Sequence, residues 1–178
     1  MRRGFVLIAL GLFAPMVQGA VVPFLPRGAC PDAGLLLVIA VGLSLRSAGW
    51  GLALTAFVGF VADLLSGALL GSHAFLWVLA FGAARFTSLH VNLKGPFMQM
   101  MLAASLTAAC ALGMAGLTAF FGSADARSLV TPAELLRQVI ANALLIPIAT
   151  VGVAWLVAKL DEGGGPRTLR LDPKGYSS

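Results

Sequence analysis

Three stretches of this chain are almost empty of charge. Asp63 is the one charged residue between Arg46 and Arg85, none occurs between Lys94 and Asp125, and none between Arg137 and Lys159. A helix at the surface of a soluble domain needs a polar face, and runs of this length leave no room for one. They suit a bilayer, whose hydrocarbon core is roughly 30 Å thick and takes about 20 apolar residues per helical crossing. Composition agrees, with 59% hydrophobic and 11% charged residues, against about 25% charged in soluble domains. The 178 residues leave room for five or six crossings and short loops. The chain therefore reads as one all-α membrane domain, a six-helix transmembrane bundle with too little water-facing sequence for a soluble catalytic domain.

The net charge of +5 does not point to nucleic acid, because Lys and Arg are scattered singly instead of forming a stripe. Cys30 falls in a loop and Cys110 inside an apolar run, so different membrane depths keep them as unpaired thiols. Arg2, Arg3, the apolar run behind them and Val17-Gln18-Gly19-Ala20 resemble a secretory signal. Further membrane helices follow directly, so the segment is expected to stay as helix one.

The expected helices cover about 4–22, 32–45, 48–70, 72–89, 96–121 and 132–159, forming a bundle over 1–160. Pro23, Pro26 and Pro31 end the first, and Pro132 opens the last at a favoured first-turn position, with Pro147 as an internal kink. Helix two is only about 21 Å long at 1.5 Å per residue, too short to span comfortably, so it is expected to cross a thinned region or tilt inside the bundle. A tight turn at Gly71-Ser72 makes helices three and four a hairpin. The tail 161–178, with Gly163-Gly164-Gly165-Pro166, reads as disordered. Six crossings put Arg2, Arg3, Arg46, Arg85, Lys94, Lys159, Arg167, Arg170 and Lys174 on one side and Arg27 and Arg127 on the other. The richer side is cytoplasmic by the positive-inside rule, which places both termini there.

Gly51, Thr55, Gly59, Asp63, Gly67 and Gly71 recur every four residues and so share a helical face. Helices in lipid associate by close approach at small residues, so this stripe is expected to serve helix packing or partner docking. Asp63 lies about 12 Å inside the helix end, where a carboxylate needs a partner or water. Helix six offers Glu134, Arg137, Gln138 and Asn142, and an intramembrane polar network is expected in which Asp63 pairs with Arg137 or accepts from Gln138 or Asn142. His73 and His90 fall on opposite membrane faces and read as interfacial residues, so no metal is expected. There is no phosphate-binding glycine loop, no Ser/His/Asp grouping and no pair of neighbouring carboxylates in the outer half. No catalytic site and no cofactor are expected.

Pro31-Asp32, a short apolar run to Arg46, Gly59-Phe60-Val61-Ala62-Asp63-Leu64-Leu65-Ser66-Gly67 and Leu70-Gly71-Ser72-His73-Ala74 together resemble the rod shape-determining protein MreD family. The motifs lie within Pro31–Ala74, while length and hydropathy agree over the whole chain. Where the family commonly has Pro before Leu-Gly, this chain has Leu69. The resemblance implies a non-enzymatic scaffold of bacterial cell-wall elongation in the inner membrane. Its implied partners are MreC, with a single transmembrane helix and a coiled coil, and a complex including RodA, its transpeptidase and MreB, with membrane lipid around it. It also implies an architecture similar to the substrate-binding subunits of energy-coupling-factor transporters. A small-molecule binding subunit of that type is the alternative function. Against it stand the spacing of Ala9 and Ala14, five apart where such subunits carry Ala-x-x-x-Ala, and the scarcity of pocket-forming polar residues outside helix six.

Overall fold

The computed structural model describes residues 2–21, 30–45, 48–67, 69–91, 95–121 and 131–162, and every regular element among them is helical. The helices are α1 (Arg2–Val21), α2 (Ala33–Ser44), α3 (Ala48–Ser66), α4 (Ser72–His90), α5 (Pro96–Phe121) and α6 (Pro132–Glu162). Three of them, at Ala48–Ser66, Pro96–Phe121 and Pro132–Lys159, are long and apolar enough to cross a membrane.

The short helix forms the centre of the bundle. Every residue of α2 from Gly34 to Gly42 is buried, and Ile39 and Ala40 are fully enclosed. α2 packs chiefly against α6 and α4, with α1, α3 and α5 completing the enclosure. Twelve residues reach only about 18 Å, so α2 lies inside the protein instead of facing lipid along its length. That burial explains why its sequence is apolar all round. The other helices form two antiparallel hairpins, α3–α4 and α5–α6, and α1 leans on α3.

Local chemistry sets the helix ends. Thr131 and Glu134 form a reciprocal capping box at the start of α6, with Thr131 N donating to Glu134 Oε2 at 3.0 Å and Glu134 N to Thr131 Oγ1 at 3.3 Å. α3 stops at Ser66, four residues before the expected Leu70, because Gly67 takes a left-handed φ of 64°. Gly71 is also left-handed, with φ 91°, and leads into α4. α6 continues through Asp161 to Glu162, where a disordered tail was expected to begin. Arg27, Arg46, Lys94, Arg127 and the segment 163–178 with Arg167, Arg170 and Lys174 lie outside the described residues, as do the side chains of Arg2 and Arg3.

Candidate functional site

Polar side chains converge where α2 begins and the α3–α4 hairpin turns. The Asp63 carboxylate, buried to 1% exposure, is the focus. Its Oδ1 accepts from His73 N at 2.9 Å, His73 Nδ1 at 2.8 Å and Ser72 Oγ at 3.1 Å, and its Oδ2 from Gly71 N at 3.0 Å and Ala74 N at 3.3 Å. Four of these donors are N–H groups, matching the roughly four lone-pair sites of an ionised carboxylate. Ser72 has a single hydroxyl hydrogen, and its oxygen also lies 2.7 Å from Leu69 O.

This arrangement is a helix cap supplied from the preceding helix. The first N–H groups of a helix have no intrahelical partner, and Gly71 has no side chain with which to satisfy them. Asp63 takes the N–H groups of Gly71, His73 and Ala74, while Ser72 N donates to Leu69 O at 3.0 Å. Phe75 N then starts the regular ladder onto Gly71 O. The negative carboxylate also lies at the positive end of the α4 dipole. The expectation that Asp63 pairs with Arg137 or accepts from Gln138 or Asn142 is therefore corrected: its donors all belong to residues 71–74. The reason is local, since the turn presents a row of unpaired N–H groups one helical turn beyond the acid.

The helix-six row separates accordingly. Glu134 caps its own helix, and Asn142, fully buried, works at the start of α2. Asp32 N donates to Asn142 Oδ1 at 2.9 Å, and Asn142 Nδ2 donates to Thr107 Oγ1 at 3.0 Å. Ala33 N donates to Gln18 Oε1 and Leu35 N to Asp32 Oδ1, both at 2.9 Å. The N-terminus of α2 is thus held by side chains from α1 and α6, with α5 behind them. At its other end Arg85 of α4 donates to Leu45 O at 2.6 Å. Among the described residues no buried side-chain polar atom lacks a partner.

The small-residue stripe also divides. A Cβ on Gly59 would stand 2.5 Å from Ala74 Cα and 2.8 Å from Ala74 N, and one on Gly51 would meet the Phe81 ring at 2.5 Å. These two residues, with buried Thr55 and Asp63, form the seam on which α4 lies. Gly67 and Gly71 contact nothing at that position and serve the turn through their positive φ. Gly67 serves the turn and not the packing expected of it, Gly71 serves the turn expected at Gly71-Ser72, and along Gly51–Gly59 the packing place of the stripe is taken by α4.

The His73 ring, part-exposed at the hairpin end, bonds Asp63 and meets Trp77 edge-on at 5.8 Å. Trp77, 4% exposed, fills the space beside Gly34 that a side chain would need. Cys30 and Cys110 are free thiols. Among the described residues no group of three His, Cys, Asp or Glu side chains could hold a metal. The sequence reading overlooked Gln18, Thr107, Gly34 and the capping role of Arg85. Asp32 ahead of an apolar run carried an N-cap signal; the others sit in apolar runs where no spacing marks them.

Comparison with known proteins yields no match: no family model, no characterised protein and no solved structure resembles the chain closely enough to count.

Proposed function

We propose that this protein is a non-enzymatic scaffold of the bacterial inner membrane, of the MreD type that its Pro31–Ala74 motifs resemble. In this reading the six-helix bundle spans the bilayer with α2 enclosed inside it, both termini are cytoplasmic, and the bundle recruits MreC and through it the elongation synthases. The observation that carries the proposal is the commitment of the motif's polar residues to internal bonds. Asp63, Ser72 and His73 lock one hairpin, and Asp32 starts the central helix. A motif spent on rigidity suits a framework whose outside recruits partners, and keeps Asp63 and Asp32 in structural bonds.

The same commitment speaks against a small-molecule binding subunit. Asn142 is engaged by Asp32 and Thr107, and Glu134 by its helix cap, so two of the four helix-six residues that could line a ligand pocket are occupied. With the Gly51–Gly59 seam covered by α4, a partner helix would meet the lipid-facing surface, where Phe57, Phe60 and Leu64 of α3 are exposed.

The test is co-purification in mild detergent of the tagged protein with a co-expressed MreC, beside an unrelated six-helix membrane protein. Retention of MreC by this chain alone is expected. Equal recovery with both baits would refute the scaffold reading.

A further inference from the structure

The turn between α3 and α4 turns its leucines outward and its polar groups inward. Asp63 is the one charged residue between Arg46 and Arg85, and its carboxylate is enclosed, whereas Leu64, Leu65, Leu70 and Phe75 around the turn are each more than half exposed. Turns that meet water draw on Asn, Asp, Ser and Pro beside Gly. The sequence Gly67-Ala68-Leu69-Leu70-Gly71 contains none of the four.

The hydrogen bonds show how this turn can do without water. The first N–H groups of a helix have no intrahelical partner. At the start of α4 each is taken: those of Gly71, His73 and Ala74 by the Asp63 carboxylate, and that of Ser72 by Leu69 O. The hydroxyls also bond within the turn, Ser66 Oγ to Asp63 O and Ser72 Oγ to Leu69 O or Asp63 Oδ1. The part-exposed His73 ring turns to Asp63 and Trp77, on the side where Trp77 stands against Gly34 of α2. Internal satisfaction of this kind is what hydrocarbon demands of a backbone, since no water is present to accept the donors.

The length of α3 supplies an independent argument. Its 19 residues from Ala48 to Ser66 extend about 28 Å, just short of a hydrocarbon core roughly 30 Å thick. With Arg46 among the cytoplasmic headgroups, α3 ends below the outer headgroups, and tilt would draw its end deeper. The chain does not climb further, because Gly71 N already bonds back to Asp63.

We infer that the outer tip of the α3–α4 hairpin, presented by Leu64, Leu65 and Leu70, lies in the hydrocarbon of the outer leaflet, covered by acyl chains instead of emerging into water. The inference rests on the reading that these helices cross a bilayer. It makes this end of the hairpin a lipid-binding surface, and a protein that touches it must do so from within the membrane.

The experiment is nitroxide accessibility in phosphatidylcholine vesicles, on full-length protein with Cys30 and Cys110 replaced by Ala. Labels at Phe57→Cys and Leu79→Cys report mid-helix lipid, and labels at Leu65→Cys and Leu70→Cys report the tip. The expected result is an oxygen-to-nickel collision ratio at all four positions several-fold above that of free label in buffer. Nickel collision at 65 and 70, with oxygen favoured at 57 and 79, would show that the turn surfaces in water; the inference then fails and the membrane reading survives. Nickel access at 57 and 79 would sink the membrane reading, and the inference with it. Shielding of 65 and 70 from both reagents would mean that protein covers the tip, which overturns acyl chains as its cover. Leu70→Trp in the otherwise unaltered chain gives a second readout. Lipids brominated on the acyl chain should quench the added tryptophan, and absence of added quenching would count against the inference.

Discussion

Asp63→Asn tests the cap most directly, because it preserves size while replacing one acceptor oxygen by a donor. If the remaining oxygen keeps the His73 N and Nδ1 bonds, the new amide faces Gly71 N and Ala74 N, which now donate to Oδ2 at 3.0 and 3.3 Å. The flipped amide instead sets its NH2 against both His73 donors. Either way two hydrogen bonds to a charged acceptor are lost, each contributing about 1.5–3 kcal/mol. The simple sum is about 3–6 kcal/mol, and relaxation of the turn toward water favours the lower end. That is a large share of a typical total of about 5–15 kcal/mol. The assay is reversible unfolding in mixed detergent micelles, followed by far-UV circular dichroism. The companion is His73→Gln, which removes one donor from the same oxygen, so the double variant should fall short of additivity by about 1 kcal/mol or more. A loss under about 1 kcal/mol for Asp63→Asn, or strict additivity with His73→Gln, would refute the capping account.

Further substitutions probe the other contacts. Gly59→Ala should lower stability by about 1–3 kcal/mol, since its Cβ would stand 2.5 Å from backbone that cannot rotate away, and the same unfolding assay reads it. Gly34→Ala should disturb Trp77, seen as a shift and broadening of its emission in a variant whose other tryptophans are Phe. Asn142→Leu leaves Asp32 N and Thr107 Oγ1 without their buried partner and should cost about 1–3 kcal/mol, with faster amide exchange at the start of α2. The Cys30 thiol is pushed up by partial burial and then by the Asp32 charge, so at neutral pH less of it is thiolate than in a free cysteine. Maleimide should label it more slowly than a cysteine peptide, and Asp32→Asn should narrow that gap.

The helices were legible because each is a long apolar run ended by Pro, Gly or charge, and membrane helices follow that signal closely. The short length of α2 was legible too, and so was its conflict with a full crossing. Side-chain partners were not. Asp63 invites a search for a distant cation, yet three of its five donors are backbone N–H groups, which no residue pattern advertises. The four-residue stripe likewise treats Gly51 and Gly67 as equivalent. Only the backbone reveals that the first lies under Phe81 and the second leaves the helix at a positive φ. Thr107 and Asn142 meet across α5 and α6, 35 residues apart in sequence, and single-sequence periodicity carries no information about that distance.

The central helix explains why so few polar residues are needed and why they stand where they do. A helix of 12 residues whose middle is enclosed by protein has unpaired N–H and C=O groups at both ends, and its neighbours are placed to satisfy them. Each end must be completed by its neighbours: Gln18, Asp32 and Asn142 at the start, Arg85 at the finish. Asp32 and Arg85 also carry the charges that suit the two ends of the helix dipole. Apolar packing in lipid is permissive about register, because a helix shifted by one turn still buries its side chains. A cap is not permissive, since a shift of one turn, about 5.4 Å, breaks the bonds that Gln18, Asn142 and Arg85 make to the ends of α2. These few side chains therefore fix α1, α4 and α6 against α2, and Asp63 fixes α3 against α4. A bundle locked in this way presents a constant outer surface, which is the property that recruitment of membrane partners requires.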